Sequence, residues 1–95
     1  MLTVEWLESA VQDVIEITSY IAQFDPVAAM DMTDLFEVTA EKIPDQPYTG
    51  RPGRELGTRE KIPHPRYVMV YRITNSSIQI VNVLHTSKQY PFSMD

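Results

Sequence analysis

The spacing of apolar positions along the chain switches from a period of two to about 3.6 and back again, and the switches mark the elements. Leu2 to Trp6 alternates apolar and polar side chains and predicts a short, half-buried strand. From Leu7 the positions Leu7, Val11, Val14, Thr18 and Ile21 recur every third or fourth residue, one stripe of a helix that ends near Gln23. Asp25-Pro26 reads as an N-cap followed by proline in the first helical position, where the missing N–H costs nothing. The stripe Ala29, Met32, Phe36, Ala40 and Ile43 then predicts a second helix, stopped by Pro44 and Pro47 and antiparallel to the first because the connection is short.

The segment Pro44–Gly57 holds three of the seven prolines and all three glycines, so it predicts a loop that needs unusual backbone angles. Beyond it, Thr58 to Ile62, Tyr67 to Thr74 and Ile78 to His85 are rich in β-branched and aromatic residues, and Asn75-Ser76-Ser77 separates the last two, the pattern of a three-strand meander. Val68, Val70 and Arg72 alternate with Met69, Tyr71 and Ile73. Both sets are largely apolar, so this strand should be covered on both faces. The expected fold class is α+β, in the order β-α-α-β-β-β, with a helical hairpin packed on a small antiparallel sheet. Trp6, Tyr20, Phe24, Phe36 and Tyr71 fall on or beside the apolar stripes and are expected in or near the core.

Composition narrows the class. Ninety-five residues, 43% hydrophobic and 22% charged, suit one domain over 1–95 with one modest core. The chain has no cysteine, which removes disulfides and thiolate metal sites, and two histidines make a poor zinc site, so neither a metal nor a cofactor is expected. Neither a membrane span nor a signal peptide is apparent, and a cytoplasmic location is expected. The net charge of −5 conceals an asymmetry. Residues 1–49 carry ten acids and one base (Lys42), whereas residues 50–95 carry seven bases and three acids. An acidic or polyanionic partner should therefore meet the second half. Within it, Arg51, Arg54 and Arg59 lie beside the glycines and have two uses open to them. They can pair with the acidic helices of the same chain, or they can hold carboxylates or phosphates of a partner.

Several short motifs, taken in order, resemble the RelE/ParE superfamily of toxins, and most closely its ParE-like branch. They are V-x-W-L at Val4–Leu7 followed by Ala10, I-x-x-Y-I-A at Ile17–Ala22, Pro26 with Ala28-Ala29, and G-R-P-G-R at Gly50–Arg54. G-T-R-E at Gly57–Glu60, H-P-x-Y-V-x-V-Y-R at His64–Arg72, V-L-H at Val83–His85 and Gln89-Tyr90-Pro91 complete the set. The resemblance covers nearly the whole chain. It implies a toxin made together with a cognate antitoxin that wraps and neutralises it, with DNA contacted only through the antitoxin. It also implies one of two targets, DNA gyrase for ParE-like members or messenger RNA on the ribosome for RelE-like members. A degenerate toxin that only binds its antitoxin is a third outcome.

The residues bear on the choice of target. Cleavage of RNA through its 2′-hydroxyl needs a base, an acid and cations around the phosphate. His85, Tyr90 and Arg59 would be the catalytic set, with His64, Lys61, Arg66, Arg72 and Lys88 in reach. His85 ends the last strand, where some nuclease members place a catalytic histidine. Its structural alternative is packing on Tyr71 or Trp6, and that of His64 is shaping the turn before Tyr67. Two departures favour the gyrase reading. The resemblance leads one to expect an arginine after the aromatic that opens the third strand of a nuclease, and Val68 stands there. The chain is also acidic overall. On that reading Arg51, Arg54, Arg59, Arg66, Arg72, Lys88 and Tyr90 form the surface that meets antitoxin or target.

Overall fold

Local signals in the sequence start both helices, and long-range pairing sets the rest. The structure, a computed structural model, describes residues 2–86. Strand β1 (Thr3–Trp6) runs into helix α1 (Glu8–Ala22), which turns through Gln23 to Asp25 into helix α2 (Pro26–Lys42). The Asp25 carboxylate accepts the Ala28 N–H at 3.1 Å, which satisfies one of the orphan donors of the first turn, and Pro26 follows it as expected. A 3₁₀ turn (Ile43–Asp45) ends the hairpin. Strands β2 (Arg51–Pro52), β3 (Arg59–His64), β4 (Tyr67–Ile73) and β5 (Ser77–His85) follow. The segment read from sequence as one loop thus contains a 3₁₀ turn and a two-residue strand, whose pairing partners lie in β3.

The five strands form one sheet in the order β1-β5-β4-β3-β2. The meander pairs antiparallel as expected, but β1 lies parallel to β5, from Thr3 opposite Ser77 to Trp6 opposite Ile80. The sheet is therefore mixed rather than antiparallel. A parallel pair needs a crossover, and here all the intervening elements separate the two strands, so no local pattern could reveal the pairing. Of the three glycines only Gly57 has a positive φ, at 84°. Gly50 serves by lacking a side chain: a Cβ there would stand 2.3 Å from Tyr71 Oη and 2.8 Å from the Glu60 carbonyl oxygen.

Strand β4 is buried on both faces, as its double apolar pattern predicts. Met69 and Tyr71 join Phe36, Ala40, Ile43, Ile78, Ile80, Val83 and Ala10 in the core under the helices. Val68 and Val70 join Leu84 in a smaller cluster on the opposite face. The stripe of α1 is rotated from the predicted one. Ala10 is fully buried, and Val14 and Ile17 pack beside it, whereas Val11 is 41% and Ile15 49% exposed. The close approach of helix to sheet selects the small residue. Tyr20 and Phe24, expected near the core, are 65% and 73% exposed and meet each other edge to face at 5.4 Å. They lie at the far end of α1, where the chain turns away from the sheet into α2.

The end of α1 nearest β1 also finishes the sheet. β1 stops opposite Ile80, which leaves β5 without a strand neighbour on that side beyond this point. Ser9 Oγ donates to the Val81 carbonyl at 2.6 Å. The Asp13 carboxylate accepts the Val83 N–H at 3.0 Å and the Asn82 side-chain amide at 2.8 Å. Two helix side chains thus replace a missing strand. Removing the acceptor by Asp13→Ala leaves a half-buried N–H unsatisfied and should cost about 1–3 kcal/mol in urea unfolding, with Asp13→Asn recovering part of it. Equal losses for the two variants would show that the carboxamide does not replace the carboxylate as acceptor.

Candidate functional site

The folded chain divides its charges unevenly between the two faces of the sheet. The helices carry most of the acids, and Lys61 and Arg66 line clefts on the helical side. Residues 1–41 hold nine carboxylates and no lysine, arginine or histidine. The opposite face carries Arg51 and Arg54 at the β2 side, Arg72 on β4, the carboxylates of Glu60 and Glu5, and the buried cluster of Val68, Val70 and Leu84 between the strands.

The arginines do not reach across to the helices, contrary to the pairing the charge count suggested. Arg51 Nε donates to Glu60 Oε1 at 2.8 Å, directly across β2 and β3, and among the described residues this is the one ion pair within 4.0 Å. Glu60 has only 4% of its side chain exposed, against 56% for Arg51. Burying a carboxylate is costly unless it is paired, and Arg51 supplies the pairing. Arg59, on the other face of β3, donates through Nη1 to the carbonyls of Tyr48 (3.1 Å) and Gly50 (2.8 Å), and its guanidinium stacks on the Tyr48 ring at 5.1 Å. It fastens the long connection to β3. The alternation of Arg59 and Glu60 to opposite faces is as the strand pattern predicts. Neighbouring Tyr71 donates its hydroxyl to the Pro47 carbonyl at 2.6 Å. Burial pushes its pKa above the usual tyrosine range, opposed by a backbone hydrogen bond from Gly50 and by the charge of Arg59.

The two histidines, 21 positions apart in sequence, meet at one end of the sheet around Tyr67. His85 and His64 both pair in register with Tyr67, at the ends of β5 and β3. The Tyr67 ring contacts His85 at 5.4 Å, His64 at 5.8 Å and Phe36 at 5.6 Å between centroids. His85 therefore packs on Tyr67 rather than on Tyr71 or Trp6. His64 Nδ1 accepts the Arg66 N–H at 3.1 Å, so it does shape the β3–β4 turn. This end opens into a groove of about 960 Å³ between α1 and the sheet, lined by Asp13, Glu16, Tyr20, Arg66, Tyr67 and His85 among others.

Elsewhere the candidate cations are distributed. Arg72 donates through Nε and Nη2 to Gln79 Oε1 at 3.2 and 3.0 Å. Lys61 Nζ donates to Thr49 Oγ1 at 2.6 Å. Arg54 is exposed and lines a hollow of about 40 Å³ with Arg51, Glu60 and His85. Lys88 and Tyr90, together with the apolar segment 90–94, lie outside the described residues. Asp13, central to this arrangement, escaped sequence reasoning, as did the burial of Glu60. Glu60 left one faint signal, an acid inside a strand between Arg59 and Lys61.

The helical hairpin lies on a five-strand mixed sheet, and the chain's relatives give its class, a toxin of the type II toxin–antitoxin systems. Residues 4–90 match the model of the ParE toxin of the type II toxin–antitoxin system parDE, and the chain belongs to that family. It is 32% identical over 91 residues to Toxin RelE2 of Caulobacter vibrioides, covering 93% of this chain and 99% of that one. It is likewise 32% identical over 89 residues to Y4kP of Sinorhizobium fredii, whose name includes the word toxin, covering 93% of this chain and 92% of that one. Among solved structures, the fold is shared with a chain of the chromosomal ParDE TA system from P. aeruginosa. The TM-score is 0.81 at 18% identity, over 90% of this chain and 96% of that one. Among the described residues no helix is long and apolar enough to cross a membrane.

Proposed function

We propose that the chain arrests growth by binding DNA gyrase through its basic sheet face, as a toxin that a cognate antitoxin neutralises in the cytoplasm. One observation carries the choice of target. Arg59, the arginine of the nuclease reading's catalytic set, is committed within the fold to two loop carbonyls, and Val68, where a nuclease arginine is expected, is buried in β4 with 6% exposure. A catalytic arginine has to follow the charge that develops on a phosphate, and one already holding a loop together is poorly placed to do so. Exposed Arg54, Arg66 and Arg72 suit a protein surface instead. Lys88 and Tyr90 are proposed to add to the same contact. An antitoxin is supported by the family and by the ParDE system of the P. aeruginosa relative.

A second reading, messenger-RNA cleavage, has one specific observation in its favour. Buried Glu60 and half-buried His85 border the same hollow with Arg51 and Arg54, which brings a carboxylate, an imidazole and two cations together. The readings separate in cells that express the chain without antitoxin. The gyrase reading expects a DNA-damage response with intact transcripts, and in vitro inhibition of supercoiling by purified gyrase. It also expects His85→Gln to remain toxic while Arg54→Glu with Arg72→Glu is not. Rapid transcript loss, abolished by His85→Gln, would establish the nuclease reading in its place.

A further inference from the structure

The connection between β2 and β3 is longer and more closely built than joining two strands requires. Neighbouring antiparallel strands are commonly joined by two residues, yet six, residues 53–58, stand between the paired partners Pro52 and Arg59. Gly53 N–H donates to the Thr58 carbonyl at 2.8 Å, and Thr58 donates its own N–H and hydroxyl to the Glu55 carbonyl at 3.2 and 2.7 Å. Gly57 takes a φ of 84°, and a Cβ at Gly53 would stand 2.1 Å from Thr58 Oγ1, so both positions call for glycine. Below the loop the strands are pinned by Arg51 on Glu60 and by Arg59 on the Tyr48 and Gly50 carbonyls. The outcome is a braced prong whose tip serves nothing inside the fold. Arg54, Glu55, Leu56 and Gly57 are all exposed, and Leu56, exposed over its whole side chain, belongs to neither apolar cluster. Arg54 makes no hydrogen bond or ion pair among the described residues. An isolated exposed leucine is ordinary on an element whose other side chains serve the core. Here residues 54–57 place no side chain in the core, so the use of this glycine-closed turn lies outside the chain.

We infer that this prong is the part of the chain that enters its target, with Leu56 as the apolar anchor and Arg54 as the flanking cation. The inference rests on the gyrase reading and names the element of the basic face that makes the contact. The matching site on the target is an apolar socket with a carboxylate at its rim. Arg54 lies on the sheet face that also carries Arg51 and Arg72, so that carboxylate meets the same face while the socket receives the tip beyond it. A loop already braced by its own hydrogen bonds loses little freedom on binding, which lets a small anchor count for more. An aspartate in place of the leucine would carry a charge into the socket with no partner there.

The test titrates the purified full chain and its Leu56→Asp and Leu56→Met variants against DNA gyrase in a supercoiling assay. Each is also assayed for capture of the antitoxin, the product of the small reading frame that adjoins its own. Position 56 is fully exposed, so thermal unfolding should be the same in all three chains. The expected result is that Leu56→Asp needs a concentration about tenfold higher or more for half inhibition, while Leu56→Met stays within about twofold of the parent. Antitoxin capture should be unchanged in both. Arg54→Glu should weaken inhibition as well, and more at low salt than at high. A Leu56→Asp variant that inhibits like the parent overturns the prong and leaves the gyrase reading standing. A parent chain that does not inhibit supercoiling overturns the gyrase reading and the inference with it. Inhibition lost together with antitoxin capture also overturns the inference, because the tip is then a contact for the antitoxin.

Discussion

Gly50→Ala should destabilise the chain by roughly 2–4 kcal/mol, a large share of the ~5–15 kcal/mol that holds a domain of this kind together. A Cβ at Gly50 would lie 2.3 Å from Tyr71 Oη and 2.9 Å from Tyr71 Cε1, so either the ring or the connection must shift. A shifted ring loses its 2.6 Å bond to the Pro47 carbonyl. A shifted connection loses the 2.8 Å bond from Arg59 to the Gly50 carbonyl. Either loss is worth about 1 kcal/mol, more for the charged donor, and repacking against the fully buried Tyr71 adds to it. The two sites should also be coupled. Tyr71→Phe alone costs about 1–2 kcal/mol through the hydroxyl. In its background the nearest contact of the added methyl is gone, so Gly50→Ala should cost about 1 kcal/mol less than in the parent chain. The 2.8 Å approach to the Glu60 carbonyl oxygen persists and keeps the relief partial. Urea unfolding of the four chains measures the cycle. Strict additivity would mean that Tyr71 Oη is not what limits position 50.

The link between Gly50 and Tyr71 shows which parts of this fold sequence reasoning reaches. Periodicity located both helices and the three-strand meander because those elements are specified by neighbours in the chain. Asp25-Pro26 announced α2, and the bond from Ala28 N–H to Asp25 is the physical content of that signal. Periodicity misplaced the buried stripe of α1, since Ala10 weighs little in a hydrophobic count yet is the residue that lets the helix approach β5. Strand β2 was illegible, because two residues carry no alternation and their pairing depends on Arg51 lying opposite Glu60. The parallel place of β1 was illegible for the same kind of reason, being fixed by contacts more than 70 residues apart in sequence, such as Thr3 N to the Ser76 carbonyl.

At the candidate site the division was similar. Counting charges anticipated an acidic and a basic half, and folding keeps most acids on the helices while spreading the cations over both faces of the sheet. What counting could not supply was the state of each arginine. Arg51 and Arg59 read alike in G-R-P-G-R and G-T-R-E, yet one neutralises a buried acid and the other holds carbonyls. That difference, invisible in composition, decides how much of the basic surface is left for a partner.

Phe36→Ala should be the most damaging single change in the helical layer, at about 3–5 kcal/mol. The ring is fully buried, and truncating it removes the transfer free energy of its atoms and opens a cavity that the sheet cannot close. Its position makes the damage more than local. Phe36 lines an outward groove of the helical hairpin with Trp6 and Val14, and its ring meets Tyr67 edge to face at 5.6 Å. Tyr67 in turn holds His64 and His85. One side chain therefore supports both the helical groove and the histidine end of the sheet. Phe36→Leu refills most of the volume without the aromatic contact and should cost about 1–2 kcal/mol, a value between conservative and cavity-forming changes. The two variants separate packing from ring geometry. In urea unfolding the alanine variant should lose most of its stability and the leucine variant little. In NMR spectra both should shift the ring resonances of Tyr67 and His85, since both remove the edge-to-face partner. Unmoved ring resonances in the leucine variant would mean that Phe36 contributes volume alone and that the histidine end is held from within the sheet.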